Sequence, residues 1–256
     1  MTKALYIECN AGISGDMTLG ALIDLGADLD VIKRELSKLH IHGEYSLVAN
    51  KTQRSGISGT DLDVVIKDEE DNDDDKLHQH HEHNSFSSIR KMIENSRLNP
   101  RVKKMSTNIF SVIAKAEAAV HETTIEKVVF HEVGAVDSIL DIVGTAIAVD
   151  LLDVDRIYCS RVHDGTGFIE CRHGTIPVPV PAVMEMMKNS RIPIIINEQV
   201  NTEMVTPTGF GILEGLNATF TPMLEIKIEG VGYGFGNRDT GLFSAVRISR
   251  GEVPDI

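Results

Sequence analysis

The chain opens with a short, mostly apolar run, breaks at a cluster of glycines, and then takes up a helical period. Residues 3–9 (KALYIEC) predict a buried strand. Asn10-Ala11-Gly12-Ile13-Ser14-Gly15-Asp16 predicts a tight turn, and the helical run after it ends at Gly26, a natural C-cap. Asp28 is placed to cap a second helix whose apolar face is Val31, Ile32, Leu36 and Leu39. Residues 44–67 alternate, with Tyr45, Leu47 and Ala49 in the first half and Leu62, Val64 and Ile66 in the second. With Ser55-Gly56 and Ser58-Gly59 between them, this predicts an antiparallel pair.

Residues 68–84 have no apolar period and predict a mobile loop. A short helix near 86–95 follows, then a long one from Pro100 to about Val120, with proline at a favoured first position. Residues 127–130 look briefly strand-like, 135–152 helical, and 156–162 strand-like again. That order favours a parallel pairing of the two strands. Pro177, Pro179 and Pro181 cannot continue a ladder and read as an extended loop into a helix at 182–188. Residues 206–216 begin Thr-Pro-Thr-Gly and turn helical. Leu224, Ile226 and Ile228, then Leu242, Val246 and Ile248, suggest two strands across a glycine-rich loop, GVGYGFGNRDTG. The fold class is α/β: a mixed sheet with packed helices and a C-terminal antiparallel strand pair.

Composition narrows the function. The formal net charge is −13, from 25 basic and 38 acidic residues, which argues against nucleic-acid or anionic-membrane partners. No apolar run approaches the roughly 20 residues of a membrane span. The start MTKALYIECN does not resemble a signal peptide, and the three cysteines contain no CxxC, so the expected setting is the cytoplasm without a disulfide framework. Residues 68–83 hold eight acids and one lysine, together with His78, His80, His81 and His83. Imidazoles so spaced bind nickel, zinc or copper, and a solvated insertion is the plain alternative.

Two other segments offer chemistry. The turn at 10–17 runs from a strand through glycines into a helix, which presents backbone N–H groups to an anion, and Ser14 adds a hydroxyl. It is neither GxxxxGK[ST] nor GxGxxG, and a plain turn with Asp16 as a helix-start charge explains it too. On a helix at 135–152, Asp137, Asp141, Gly144 and Ala148 fall within about 60° of one another, opposite an apolar arc. Two aspartates one turn apart repel unless a cation or donor lies between them. With His131 and Glu132 just before, they make a mixed ligand set for a divalent ion; acids favoured by the helix dipole are the alternative. Thr206 and Thr208 open a further helix start suited to an anion or to capping. His121, His163 and His173 are weaker candidates.

Four separated stretches occur in a distinctive order: Gly12-Ile13-Ser14-Gly15-Asp16-Met17-Thr18-Leu19-Gly20-Ala21-Leu22; His131-Glu132-Val133-Gly134-Ala135-Val136-Asp137-Ser138 with Asp141; His173-Gly174 to Pro177-Val178-Pro179-Val180-Pro181-Ala182; and Thr206-Pro207-Thr208-Gly209. Together they closely resemble the LarC family of nickel-insertion proteins of nickel-pincer cofactor biosynthesis, from about residue 4 to residue 250. Glu8, Ala11 and Val129 stand where relatives often carry Asp, Ser and His.

The resemblance implies a CTP-dependent cyclometallase that inserts Ni²⁺ into pyridinium-3,5-bisthiocarboxylic acid mononucleotide, giving the cofactor of lactate racemase. In that family CTP with Mn²⁺ or Mg²⁺ belongs to a C-terminal domain, so the expected organisation is an α/β segment 1–67, the loop 68–84, the remainder 85–256, and no CTP-binding domain. Implied partners are that C-terminal portion, the sulfur-insertion enzyme, lactate racemase and further copies of the chain. On this reading Gly12, Ser14, Gly15, Thr206 and Thr208 hold the substrate phosphate. Asp16, Glu132, Asp137 and Asp141 serve catalysis, and His78, His80, His81, His83 and His131 bind metal. Forming a nickel–carbon bond releases a ring proton, which requires a base. A nickel store or delivery protein and a metal-dependent phosphohydrolase are the competing functions.

Overall fold

In a computed structural model of the chain, the described residues are 1–41, 44–67, 85–130, 136–171 and 173–255. The expected mobile loop at 68–84 with its four histidines, and His131 and Glu132, lie outside them.

The first strand, β1 (Thr2–Cys9), leads through the glycine turn into α1 (Gly15–Asp24) and then α2 (Leu29–Leu36). Asp28 caps α2 as predicted, accepting from the N–H groups of Asp30 and Val31 at 2.9 and 3.1 Å. Strands β2 (Glu44–Arg54) and β3 (Ile57–Lys67) form the expected hairpin. Helices α3 (Phe86–Asn95) and α4 (Pro100–Val120) follow, the latter capped by Asn99, which accepts from Val102 N–H at 2.8 Å. Then come α5 (Val136–Leu151), β4 (Arg156–Asp164), the small hairpin β5 (Phe168–Cys171) and β6 (Gly174–Pro177), and α6 (Pro181–Lys188). The chain continues through β7 (Ile194–Ile196), α7 (Pro207–Gly215) and β8 (Thr219–Phe220) to β9 (Lys227–Phe235) and β10 (Ala245–Val253).

The main sheet runs β2-β3-β9-β10-β1-β4-β7, with β8 also paired to β4. It is mixed: β1 lies antiparallel to β10 and parallel to β4. Along β1, Leu5, Ile7 and Cys9 point into the large core shared with the helices. Ala4 joins Tyr158 and Val253 in a small cluster covered by Leu224 and Ile226 on the opposite face. The three cysteines are free. No described helix is long and apolar enough to cross a membrane.

Three expectations need correction. Residues 127–130 are not the parallel partner of β4; that partner is β1, with Leu5 beside Ile157 and Ile7 beside Cys159. Val129 makes only an isolated bridge to Ser85, and Phe130 is spent on helix packing, its ring 6.5 Å from Phe86 and 6.1 Å from Phe110. Residues 174–177 are not loop but pair with 168–171, because Pro177 sits at the open end of a two-stranded ladder where its missing N–H costs nothing. Finally, most of the glycine-rich run is strand: Gly230 to Phe235 pair with β10.

Those glycines seat α1. A Cβ at Gly234 would lie 1.8 Å from Met17 O, and one at Gly232 2.2 Å from Ala21 O, so the helix backbone rests directly on β9. Asp24 fixes its far end, accepting from Tyr233 N–H at 3.0 Å and Thr60 Oγ1 at 2.9 Å and pairing with Lys51. Gly234→Ala should therefore lower the unfolding free energy by about 1–3 kcal/mol, the usual cost of overpacking. Urea denaturation reads this; an unchanged midpoint would mean α1 does not sit on this strand.

Candidate functional site

The turn after β1 is tied into the fold by its own backbone. Gly12 N–H donates to Cys9 O at 3.3 Å, Ile13 N–H to Met204 O at 2.9 Å, and Thr206 N–H to Ile13 O at 3.0 Å. Gly12 has φ of +83°, and a Cβ there would fall 2.0 Å from Met204 O, so no other residue suits the crossing. Asp164, at the end of β4, is fully buried and accepts from Met204 and Val205 N–H at 2.8 and 3.1 Å, which holds the other strand of the crossing. The starts of α1 and α7 are thereby set side by side.

A third helix meets them. Gly15 is packed on α5 so closely that a Cβ would come within 2.6 Å of Asp141 Oδ2, and further along Leu19 fills the space over Gly144. The small residues that share the aspartate face of α5 are therefore a seat for α1: Gly144 and Ala148 are buried, not solvated.

Between these elements lies a cavity of about 340 Å³. Ser14, Gly15 and Asp16 line it from α1; Asp137, Ser138 and Asp141 from α5; Thr206, Pro207 and Thr208 from α7. Asp63 of β3, Glu203, Asn237 and Arg238 complete its polar wall. Among the described residues, five acids thus face one arginine. Helix N-termini partly offset that excess, since their N–H groups favour negative charge.

Asp141 is the least compensated group. Its Oδ1 is buried without a hydrogen-bond partner among the described residues. Burial, then the nearby Asp16 and Asp137 charges, push its carboxyl well above the usual carboxylate range. Burial also raises Asp16, although Ser14 Oγ donates to its carboxylate and the Met17 backbone hydrogen-bonds it. Arg238 forms an ion pair with buried Glu203. Thr206 Oγ1 accepts from Gly209 N–H at 3.1 Å and so caps α7.

Of the residues singled out by sequence, Ser14, Gly15, Asp16, Asp137, Asp141, Thr206 and Thr208 share this cavity. Gly12 does not line it; its N–H is bonded to Cys9 O. His78, His80, His81, His83, His131 and Glu132 fall outside the described residues. Among the described residues no three His, Cys, Asp or Glu side chains are grouped as a ready metal site. Arg238 and Asn237 are not legible as site residues in the sequence, where they sit inside a glycine-rich run; the Asn-Arg-Asp triplet is the one polar signal in it.

A family model described as nickel insertion protein matches residues 5–255. The chain belongs to the nickel insertion protein family. Relatives named pyridinium-3,5-bisthiocarboxylic acid mononucleotide nickel insertion protein include one from Acetivibrio thermocellus, 52% identical over 99% of this chain and 61% of its own length. Another, from Lactiplantibacillus plantarum, is 46% identical over 96% of this chain and 60% of its own. A protein from Wolinella succinogenes named putative nickel insertion protein is 44% identical over 93% and 57%. The chain thus spans about 60% of the length of these nickel insertion proteins. No solved structure matches it.

An acid whose folded-state pKa is raised binds its proton more tightly in the fold, so stability falls as pH climbs above the ordinary carboxylate range. Asp141→Asn removes that loss. The variant should be more stable than the parent at neutral pH, with the gap closing below about pH 4. Urea unfolding across pH 4–8 checks this; a constant gap, or a less stable variant at pH 7, would contradict it.

Proposed function

We propose that this chain provides the pocket in which pyridinium-3,5-bisthiocarboxylic acid mononucleotide receives nickel. The observation that carries this reading is the buried Asp141 carboxyl, whose Oδ1 has no hydrogen-bond partner among the described residues and which lines the cavity where three helices begin. A pyridinium ring and an incoming Ni²⁺ are both cationic and suit the five-acid wall. The phosphate suits the starts of α1 and α7, where Ser14, Gly15 and Thr208 share the cavity with Arg238.

The chemistry follows from that placement. Nickel arrives as substrate and meets the two ionised thiocarboxylates of the ligand; Asp16 and Asp137 offer it carboxylate oxygens on the way in. The cationic ring and the arriving nickel favour the ionised form of Asp141, whose own proton leaves to solvent. As the bond between nickel and the ring carbon then forms, the ring C–H bond breaks and its proton passes to that carboxylate. A carboxyl whose affinity for protons is raised by burial is suited to that task at neutral pH. Ser14 keeps Asp16 oriented, and Arg238 exchanges Glu203 for phosphate. CTP is not the ligand proposed for this cavity: its described wall is acidic and has no lysine, and the turn is not of the GxxxxGK[ST] type. CTP with Mn²⁺ or Mg²⁺ is therefore assigned to the part of the relatives that the match leaves uncovered. Nickel supply from the His78–His83 stretch is part of the same proposal.

Two variants separate binding from chemistry. Asp141→Asn should bind the pyridinium mononucleotide within about threefold of the parent by calorimetry, yet slow nickel insertion by about 10²–10⁴. Arg238→Gln should weaken binding roughly tenfold to a hundredfold, the worth of a charged hydrogen bond to phosphate. Insertion at parental rate in Asp141→Asn would remove the proposed base.

A further inference from the structure

The loop that carries Arg238 to the cavity is anchored from outside it. Residues 236–244 join β9 to β10, and Asn237 and Arg238 among them line the cavity. Gly236 N–H closes the base of the loop by donating to Ser244 O at 3.1 Å. At the far end Phe243 sets its ring edge-on against Tyr233 and Phe235, with ring centres 6.3 and 5.8 Å away. The tip turns back on itself: Asp239 Oδ1 accepts from Gly241 N–H at 3.0 Å, and Thr240 Oγ1 from Leu242 N–H at 3.3 Å.

The near end is held by Arg54, the last residue of β2, which does not line the cavity. Its guanidinium lies 5.0 Å over the centre of the Phe235 ring. One arm of the fork, Nη1, donates to Gly236 O; the other, Nη2, donates to Asp61 Oδ2 at 3.1 Å. Gly236 O belongs to the peptide that joins Gly236 to Asn237. A peptide is planar, so holding that oxygen sets the direction in which Asn237, and Arg238 after it, leave the strand. Arg238 itself is paired with buried Glu203, the contact it gives up for phosphate in the function proposed above. The loop therefore needs a hold that persists through this exchange. Arg54 supplies one, and its own charge is matched by Asp61, so it acts through the loop.

We propose that Arg54 is a positioning residue for the ligand's phosphate: its bond to Gly236 O keeps Arg238 at the cavity once Glu203 is released, an assignment that rests on the reading of Arg238 as the phosphate contact.

Calorimetry on the intact chain with two ligands tests this: pyridinium-3,5-bisthiocarboxylic acid mononucleotide, and the nucleoside left when a phosphatase removes its phosphate. The parent should bind the mononucleotide at least about tenfold more tightly than the nucleoside. Arg54→Met keeps an apolar stem over Phe235 and drops the donors. It should weaken mononucleotide binding about tenfold and nucleoside binding less than about twofold, with circular dichroism unchanged. Arg54→Lys, which cannot hold Gly236 O and Asp61 in one fork, should show the same selective loss at about threefold. A merely structural role would weaken both ligands alike. In Arg238→Gln, adding Arg54→Met should cost less than about twofold more, because two residues acting through one contact are not additive. Equal losses for both ligands, parental mononucleotide affinity in both Arg54 variants, or a full tenfold further loss in the Arg238→Gln background would overturn the assignment of Arg54 alone. A parent that does not distinguish the two ligands would overturn it together with the role of Arg238.

Discussion

The contact of Gly15 with Asp141 is the constraint around which the rest is arranged. A hydrogen atom in place of a side chain at the first residue of α1 lets that helix meet α5 at the carboxylate itself. The result is a carboxyl oxygen that is out of water and without a donor among the described residues. Leaving a buried polar group unpaired costs on the order of 1–3 kcal/mol, and a charge there costs more. Folding therefore favours the protonated form, which leaves a group ready to exchange a proton with whatever enters the cavity.

The surrounding structure is organised to hold that unfavourable arrangement. α1 is pinned below by β9, where glycines replace side chains, and at its far end by Asp24. The turn before it is stitched to residues 204–206, which Asp164 grips from β4. Three helix N-termini consequently converge where, among the described residues, acids outnumber bases five to one. A simple anion meets repulsion there and a simple cation meets helix N-termini. A ligand bearing a cationic ring and a phosphate satisfies both, and the name of the Acetivibrio thermocellus relative contains a compound of that description.

Much of this is legible in the sequence, and where it is not the causes are physical. The Asp28 and Asn99-Pro100 helix starts and the 44–67 hairpin depend on local chemistry and periodicity, which one sequence carries. The pairing of β1 with β4 does not, because Leu5 and Ile157 lie far apart along the chain, and the apolar residues at 128 and 130 mimic a closer strand while packing on helices. Gly230, Gly232 and Gly234 read as loop because a strand that seats a helix backbone sheds the side chains that make strands recognisable. On α5, the Asp-Asp-Gly-Ala face stands out for its carboxylates, yet half of it serves packing, with Gly144 under Leu19. That Asp16 and Asp141 share one cavity follows from no local pattern; it is expected only because both are given to one catalytic set, and the structure places them together. Arg238 has no periodic or motif signal beyond its charge.

The most direct measurement is a crystal structure of this chain with the pyridinium mononucleotide bound. The expected result is the phosphate at the starts of α1 and α7 beside Arg238, with the pyridinium ring laid against Asp141. A ligand bound in this cavity with its phosphate turned toward Asp137 and Asp141, or bound anywhere else, would contradict the assignment.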